Sequence, residues 1–338
     1  MKRMICAVSA LVCALVLSSC SLFETPPSEE QVWLVEQMQK AEGWPRIHAA
    51  EALLAADLER ELVVETFRAE LEKPVTDVPW RVGCLRVVYR GTDKPEEKQK
   101  IREEIGAIAS DAASPGATHA VETLLRLGVD ISAAEKEAIK TYVAVKAPAD
   151  AEKVADKAPA DGGKVADKAE NAADAEKAAD KAPADAEKEK VNDLRRDYAV
   201  ALLAAEGDVE LRKEMLARLN ADNMVAAYGY YFFGGLTPEE LAALWNYFAD
   251  TKRPAAQRAD VFRTLAAFSR YNRALHSQLL QMFAAGDPDA LHSLLRTAGD
   301  FHYVGDTRIL QNYWHTKSLP LSTRIAAAAA LLQIKAKL

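Results

Sequence analysis

Aromatic side chains are scarce in this chain of 338 residues, at 7%, and glycine and proline number only 15 and 14. A turn-dense all-β sandwich or barrel needs more of all three, so the shortage argues for closely packed helices. Paired cysteines are also missing, because of four cysteines three fall in the first twenty residues and only Cys84 lies beyond them. No basic excess is present either: the formal charge is −7. That balance excludes a nucleic-acid binder that relies on a basic face. Catalytic signatures are equally thin. There is no Gly-x-Ser-x-Gly elbow, no phosphate-binding glycine loop and no His-Glu-x-x-His, so no catalytic residue, metal ligand or cofactor is expected. What the chain does have is apolar residues, 49% of the total and rich in alanine, enough to bury a core.

The amino terminus has a short positive start, Lys2 and Arg3, and an apolar run from Met4 through Leu17. Crossing ~30 Å of hydrocarbon at 1.5 Å per residue takes ~20 residues, so this run reads as a signal-peptide core rather than a permanent span. It ends Leu17-Ser18-Ser19-Cys20, which resembles the lipobox of bacterial lipoproteins. The resemblance implies removal of residues 1–19, acylation of Cys20 by a thioether-linked diacylglycerol and an amide-linked chain such as palmitate, and membrane anchoring through a tether over 20–27. Two or more acyl chains anchor stably where one would be marginal. Ser21 rather than Asp after the cysteine implies the outer membrane of the cell envelope. With the other cysteines so assigned, Cys84 has no disulfide partner, and its setting, Val82-Gly83-Cys84-Leu85, suits a small core residue.

Internal similarity supplies the fold. Arg46-Ile47-His48-Ala49-Ala50-Glu51-Ala52-Leu53-Leu54 returns near the end as Arg324-Ile325-Ala326-Ala327-Ala328-Ala329-Ala330-Leu331-Leu332. Weaker copies begin at Arg81, Thr118, Arg195 and Arg258, and fainter ones lie around Met224 to Phe233 and Leu291 to Leu295. Each carries apolar residues three and four apart, and each is followed by a second amphipathic run such as Glu61 to Phe67 or Leu211 to Leu219. One helical hairpin per 33 to 37 residues predicts an all-α solenoid in which each hairpin buries a face only against its neighbours. The Ala-Ala-x-Ala-Leu-Leu pattern resembles HEAT-type repeats. Helical repeats are expected over 28–145 and 191–338, opening with Ser28 and Gln31 at capping-box spacing.

Between these halves, residues 146–190 repeat Lys-Ala-Pro-Ala-Asp almost literally, with no aromatic residue and with Pro148, Pro159 and Pro183 interrupting helix. So little apolar surface cannot offset ordering entropy, which predicts a disordered or transiently helical low-complexity insertion.

Two polar pairs, His48/Glu51 and His119/Glu122, sit one helical turn apart at the same repeat position and read as repeated surface polar residues rather than metal ligands. The aromatic residues are more informative, since 17 of 24 lie in 191–338. Adjacent rings on a helix point about 100° apart, so the run Tyr228, Tyr230, Tyr231, Phe232 and Phe233 cannot all be buried. Tyr228, Tyr230, Tyr231 and Phe232, with Trp245, Tyr303 and Trp314, are the candidate binding residues. The expected function is a non-catalytic, membrane-anchored scaffold for an unidentified protein or peptide partner. The competing expectation, an enzyme or enzyme subunit acting on envelope polymer or glycan, requires a carboxylate pair or a nucleophile beside His302 or His315.

Overall fold

A computed structural model describes residues 26–144, 184–269, 273–301 and 307–336. The signal peptide expected over 1–19, Cys20, His302 and Tyr303 lie outside the described residues, as does the expected insertion up to residue 183. Among the described residues there are sixteen α-helices, one 3-10 turn and no strand. None of the helices is long and apolar enough to cross a membrane.

The helices alternate between two layers. The inner layer holds α2 (Trp44–Ala55), α4 (Val78–Gly91), α6 (Ala117–Leu127), α8 (Ala184–Ala205), α10 (Met224–Gly229), α12 (Ala255–Phe268), α14 (Pro288–Asp300) and α16 (Leu321–Lys335). The 3-10 turn Tyr230–Phe232 prolongs α10. The outer layer holds α1 (Glu29–Lys40), α3 (Arg60–Leu71), α5 (Pro95–Ser110), α7 (Ala133–Ala144), α9 (Val209–Asn220), α11 (Pro238–Ala249), α13 (Arg273–Ala285) and α15 (Arg308–His315). Each outer helix packs against the inner helix that follows it, and successive inner helices pack side by side, as a helical-hairpin solenoid requires. All eight repeat copies found in the sequence fall on inner helices.

Local chemistry sets the boundaries. Side chains of Ser28, Asp77, Asp208, Asn223, Thr237 and Asp287 accept hydrogen bonds from first-turn amides, satisfying donors that a helix start leaves orphaned. At Ser28 only half of the expected capping box forms, because the Gln31 amide donates instead to Glu59 at 2.7 Å. Inner helices approach closely through small residues. A Cβ on Gly83 would lie 2.3 Å from the Ile47 side chain, and one on Gly299 would lie 3.0 Å from the Ala330 backbone. Cys84 is buried in this seam, and burial pushes its thiol up to about 12.

The arginine that opens the repeat has a specific task. Arg46 donates to the Met38 carbonyl at 2.8 Å, Arg81 to Leu71 at 3.0 Å, Arg258 to Phe248 at 2.9 Å and Arg324 to Trp314 at 2.9 Å. Each acceptor lies in the last turn of the preceding outer helix, where carbonyls lack an intrahelical partner and the helix dipole favours a cation. The repeat therefore persists as one arginine stapling one helix end. Three of these guanidiniums also lie over an aromatic ring, those of Phe67, Phe248 and Trp33.

The stack closes on itself, which the repeat spacing alone did not indicate. Helix α16 packs against both α1 and α2. Trp33 meets Trp314 edge-on at 5.9 Å, Arg324 lies over Trp33 at 5.1 Å, and Lys335 Nζ reaches the buried carboxylate of Glu30 at 2.7 Å. The inner helices thus form a ring around an axis instead of an open curved rod.

Candidate binding pocket on the ring axis

A cavity of about 380 Å³ occupies this axis. Its walls come from seven of the eight inner segments. Helix α2 contributes His48 and Glu51, α4 Arg90, α6 Arg126, and the 3-10 turn Tyr231 and Phe232. Helix α12 adds Arg263, and α14 adds His292, Arg296 and Asp300. Helix α16 closes the opposite side with a small-residue wall that includes Ala326, Ala329 and Ala330. Polar residues three and four apart on an otherwise buried helix must share one face, which here is the axial one.

Glu51 is the hub of one wall. Its carboxylate accepts from Arg86 Nε at 2.7 Å and from Arg90 Nη1 at 3.3 Å, and Arg126 lies 3.5 Å away. Arg86, only 2% exposed, also donates to Thr123 Oγ1 at 3.2 Å. Burial alone would raise the Glu51 carboxyl, but Arg86, Arg126 and Arg90 overcome it and hold it well below the usual range. The facing wall is built on Asp300, which accepts from Arg263 Nε at 2.6 Å and from the Tyr231 hydroxyl at 3.3 Å. The Arg263 guanidinium lies 3.8 Å from the centre of the Tyr231 ring. Behind it, Ser293 Oγ donates to Asp260 at 2.5 Å.

Cations outnumber these anions. Four arginines line the cavity against two carboxylates, in a chain whose formal charge is −7. Arg296 has no carboxylate within 4 Å among the described residues; burial, with Arg263 and Arg126 nearby, pushes its guanidinium down. Burial, reinforced by Arg126 and Arg86 against the pull of Glu51, lowers Arg90 as well. The histidines yield to the same field. Burial and the surrounding arginines, opposed by Glu51, bring His48 down to about 4, and burial, Arg296 and His48 bring His292 down to about 3. Both are neutral at pH 7.

The described candidate aromatic residues divide among four places. Tyr231 and Phe232 line the cavity, and half-buried Tyr228 packs edge-on to Phe232 at 5.0 Å. Tyr230 is fully buried against Phe233, away from the axis, where Arg212 of α9 lies over the Phe233 ring. Trp245 sits half-buried in outer helix α11 against Phe248, and Trp314 is buried at the ring closure. His315, one residue on, is exposed on the outer layer and does not line the cavity.

The reading of His48 and Glu51 as surface polar residues does not hold, because ring closure turns their face inward. His119 is likewise interior, stacked on Trp44 at 5.1 Å. No group of three or more His, Cys, Asp or Glu among the described residues could hold a metal ion. The arginines were the missed feature. Five residues into a repeat copy stand Glu51, Arg86 and Arg263, and nine residues in stands Arg90, a charged stripe on helices otherwise built of Ala, Val and Leu. Comparison with protein-family models, with curated proteins and with solved structures finds no match for this chain. Fold and site together define a closed helical-repeat protein with an arginine-rich axial pocket.

Proposed function

We propose that this protein is an envelope lipoprotein, anchored in the outer membrane through acylated Cys20, that acts as a non-catalytic helical-repeat scaffold for a protein or peptide partner. The binding element is the axial pocket, and the observation that carries this reading is the meeting of Tyr231 and Phe232 with a surplus of guanidinium groups in one cavity. Amphipathic aromatics and arginines are the side chains that most often anchor interfaces. A cavity of about 380 Å³ admits the end of an extended chain, not a folded domain.

A non-catalytic role fits the electrostatics. Both lining carboxylates are neutralised by arginine, and a histidine held unprotonated down to about pH 4 is a weak proton acceptor at neutral pH. The lipid confines the ring to a membrane face, and the ring presents its axis to the partner.

Two measurements test the proposal. Metabolic labelling with palmitate is expected to mark the wild-type chain and not Cys20→Ser, which moves to the soluble fraction; equal labelling or unchanged membrane association overturns the anchor. Affinity capture from envelope extract with residues 21–338 is expected to retain a partner that the Tyr231→Ala/Phe232→Ala variant loses. Unchanged capture overturns the pocket as the binding element.

A further inference from the structure

We propose that the axial pocket is an oxyanion site, holding a carboxylate or phosphate group of its ligand against Arg296, with Arg126 and Arg263 beside it. This deepens the scaffold reading, since it takes the pocket to be the binding element and names the chemistry that the pocket selects.

Three observations converge. First, the cation surplus is local. The two carboxylates of the lining are already engaged, Glu51 by Arg86, Arg90 and Arg126, and Asp300 by Arg263 and Tyr231. Arg296 lines the cavity with no carboxylate within 4 Å among the described residues; Asp300 and Asp260 act on it only at longer range, against Arg263 and Arg126. Guanidiniums crowded in a poorly solvated space oppose folding unless an anion joins them, so a fold that keeps one unmatched gains from a negative ligand.

Second, every cation of the lining is arginine, and no lysine is present there. A surface selected for solubility mixes the two freely. The planar guanidinium presents paired N–H donors whose spacing matches the oxygens of a carboxylate or phosphate, which a lysine ammonium cannot do. Third, the ligand side of the cavity is open space. Helix α16 lines it with Ala326, Ala329 and Ala330, so the opposite wall takes up little volume and offers no competing charge. A net-negative chain with a basic axis also focuses the field, which favours a small anion at the cavity.

The test uses residues 21–338 in calorimetric titration and thermal melting. The probes are inorganic phosphate, a short peptide ending in Tyr with a free carboxylate, and the same peptide amidated, each against a chloride control of equal ionic strength. Phosphate or the free-acid peptide is expected to raise the melting temperature by several degrees, with at least a tenfold affinity loss in Arg296→Gln. Without ligand, Arg296→Gln is expected to melt no lower than wild type, which separates a ligand-binding arginine from a structural one. Ala329→Leu, which fills the cavity and leaves every arginine in place, is expected to abolish the same binding and serves if Arg296→Gln fails to fold. Binding of phosphate alone assigns a phosphate-bearing ligand, and binding of the free-acid but not the amidated peptide assigns a chain terminus. No response to either oxyanion, or equal binding by wild type and Ala329→Leu, overturns the proposal. The two readings can fail separately: phosphate binding with capture indifferent to Tyr231 and Phe232 leaves the oxyanion site and removes the scaffold, and aromatic-dependent capture without oxyanion binding does the reverse.

Discussion

The outer and inner layers treat charge in opposite ways. Between outer helices, and from inner to outer, cations meet carboxylates of a neighbouring hairpin 24 to 33 residues away: Arg46 with Glu70, Arg68 with Glu97, Arg102 with Glu135 and Arg212 with Glu240. Each of these pairs joins adjacent units and fixes their register. On the axis, four arginines line a cavity with two carboxylates, Arg126 reaches a third, Glu122, at 3.5 Å, and Arg296 has none within 4 Å among the described residues. A layer that only had to hold the ring together could follow the outer pattern. The proposed oxyanion site rests on that difference.

That contrast can be broken, beginning with the axial hub. Glu51→Gln removes the one carboxylate on which Arg86, Arg90 and Arg126 converge and leaves a guanidinium 2% exposed without an anion. A loss of about 3–5 kcal/mol in urea unfolding is expected. A loss under 1 kcal/mol would mean that the hub is not structural.

Acid titration is next. His48 and His292 are held neutral in the fold, down to about 4 and about 3, by burial and by Arg126, Arg86, Arg296 and Arg263, with Glu51 opposing at His48. In the unfolded chain histidine titrates near 6.5, so the unfolded state takes up protons first as pH falls. Stability from these two groups is complete above about 6.5 and declines below it, by about 1.4 kcal/mol per pH unit for each histidine until the folded values are reached. Buried carboxylates held low, Glu51 among them, add loss in the same direction below about 4.5. The melting temperature of His48→Gln/His292→Gln is expected to fall less steeply between pH 6.5 and 5 than that of wild type, with burial of His119 keeping a residual slope. Equal slopes would sink the assignment.

A repeat staple is smaller again. Arg324→Ala forfeits the hydrogen bond to the Trp314 carbonyl and the stack on Trp33, for an expected loss of about 1–2 kcal/mol. The smallest effect sharpens the scale: Lys40→Ala removes an exposed partner of Glu36 one helical turn away, and unfolding should shift by no more than about 0.5 kcal/mol.

Much of this architecture was legible in the sequence. The Arg-x-x-Ala-Ala-x-x-Leu-Leu copies mark the inner helices because only those helices need small residues on one side and a helix-end arginine on the other. Closure was not legible, because it depends on the angle accumulated from hairpin to hairpin, and no single repeat encodes that angle. The pocket was hidden for the same reason. His48 and Glu51 look like surface residues on a helix considered alone, and only the return of α16 to α1 and α2 makes their face interior. Of the aromatic candidates, Tyr231 and Phe232 reach the axis while Trp245 and Trp314 pack elsewhere.

Because Lys335 grips Glu30, the stack of described helices has no free end face on which a further hairpin could pack. An open array can change length by duplicating a hairpin at either tip; here an extra hairpin would have to prise the seam apart and a missing one would leave it gaping. Growth is confined to the joints between helices, and residues 145–183 enter at one such joint, between α7 and α8. The same geometry sets the first and last described helices side by side, so a chain rejoined between them and reopened at that joint should find the identical circle.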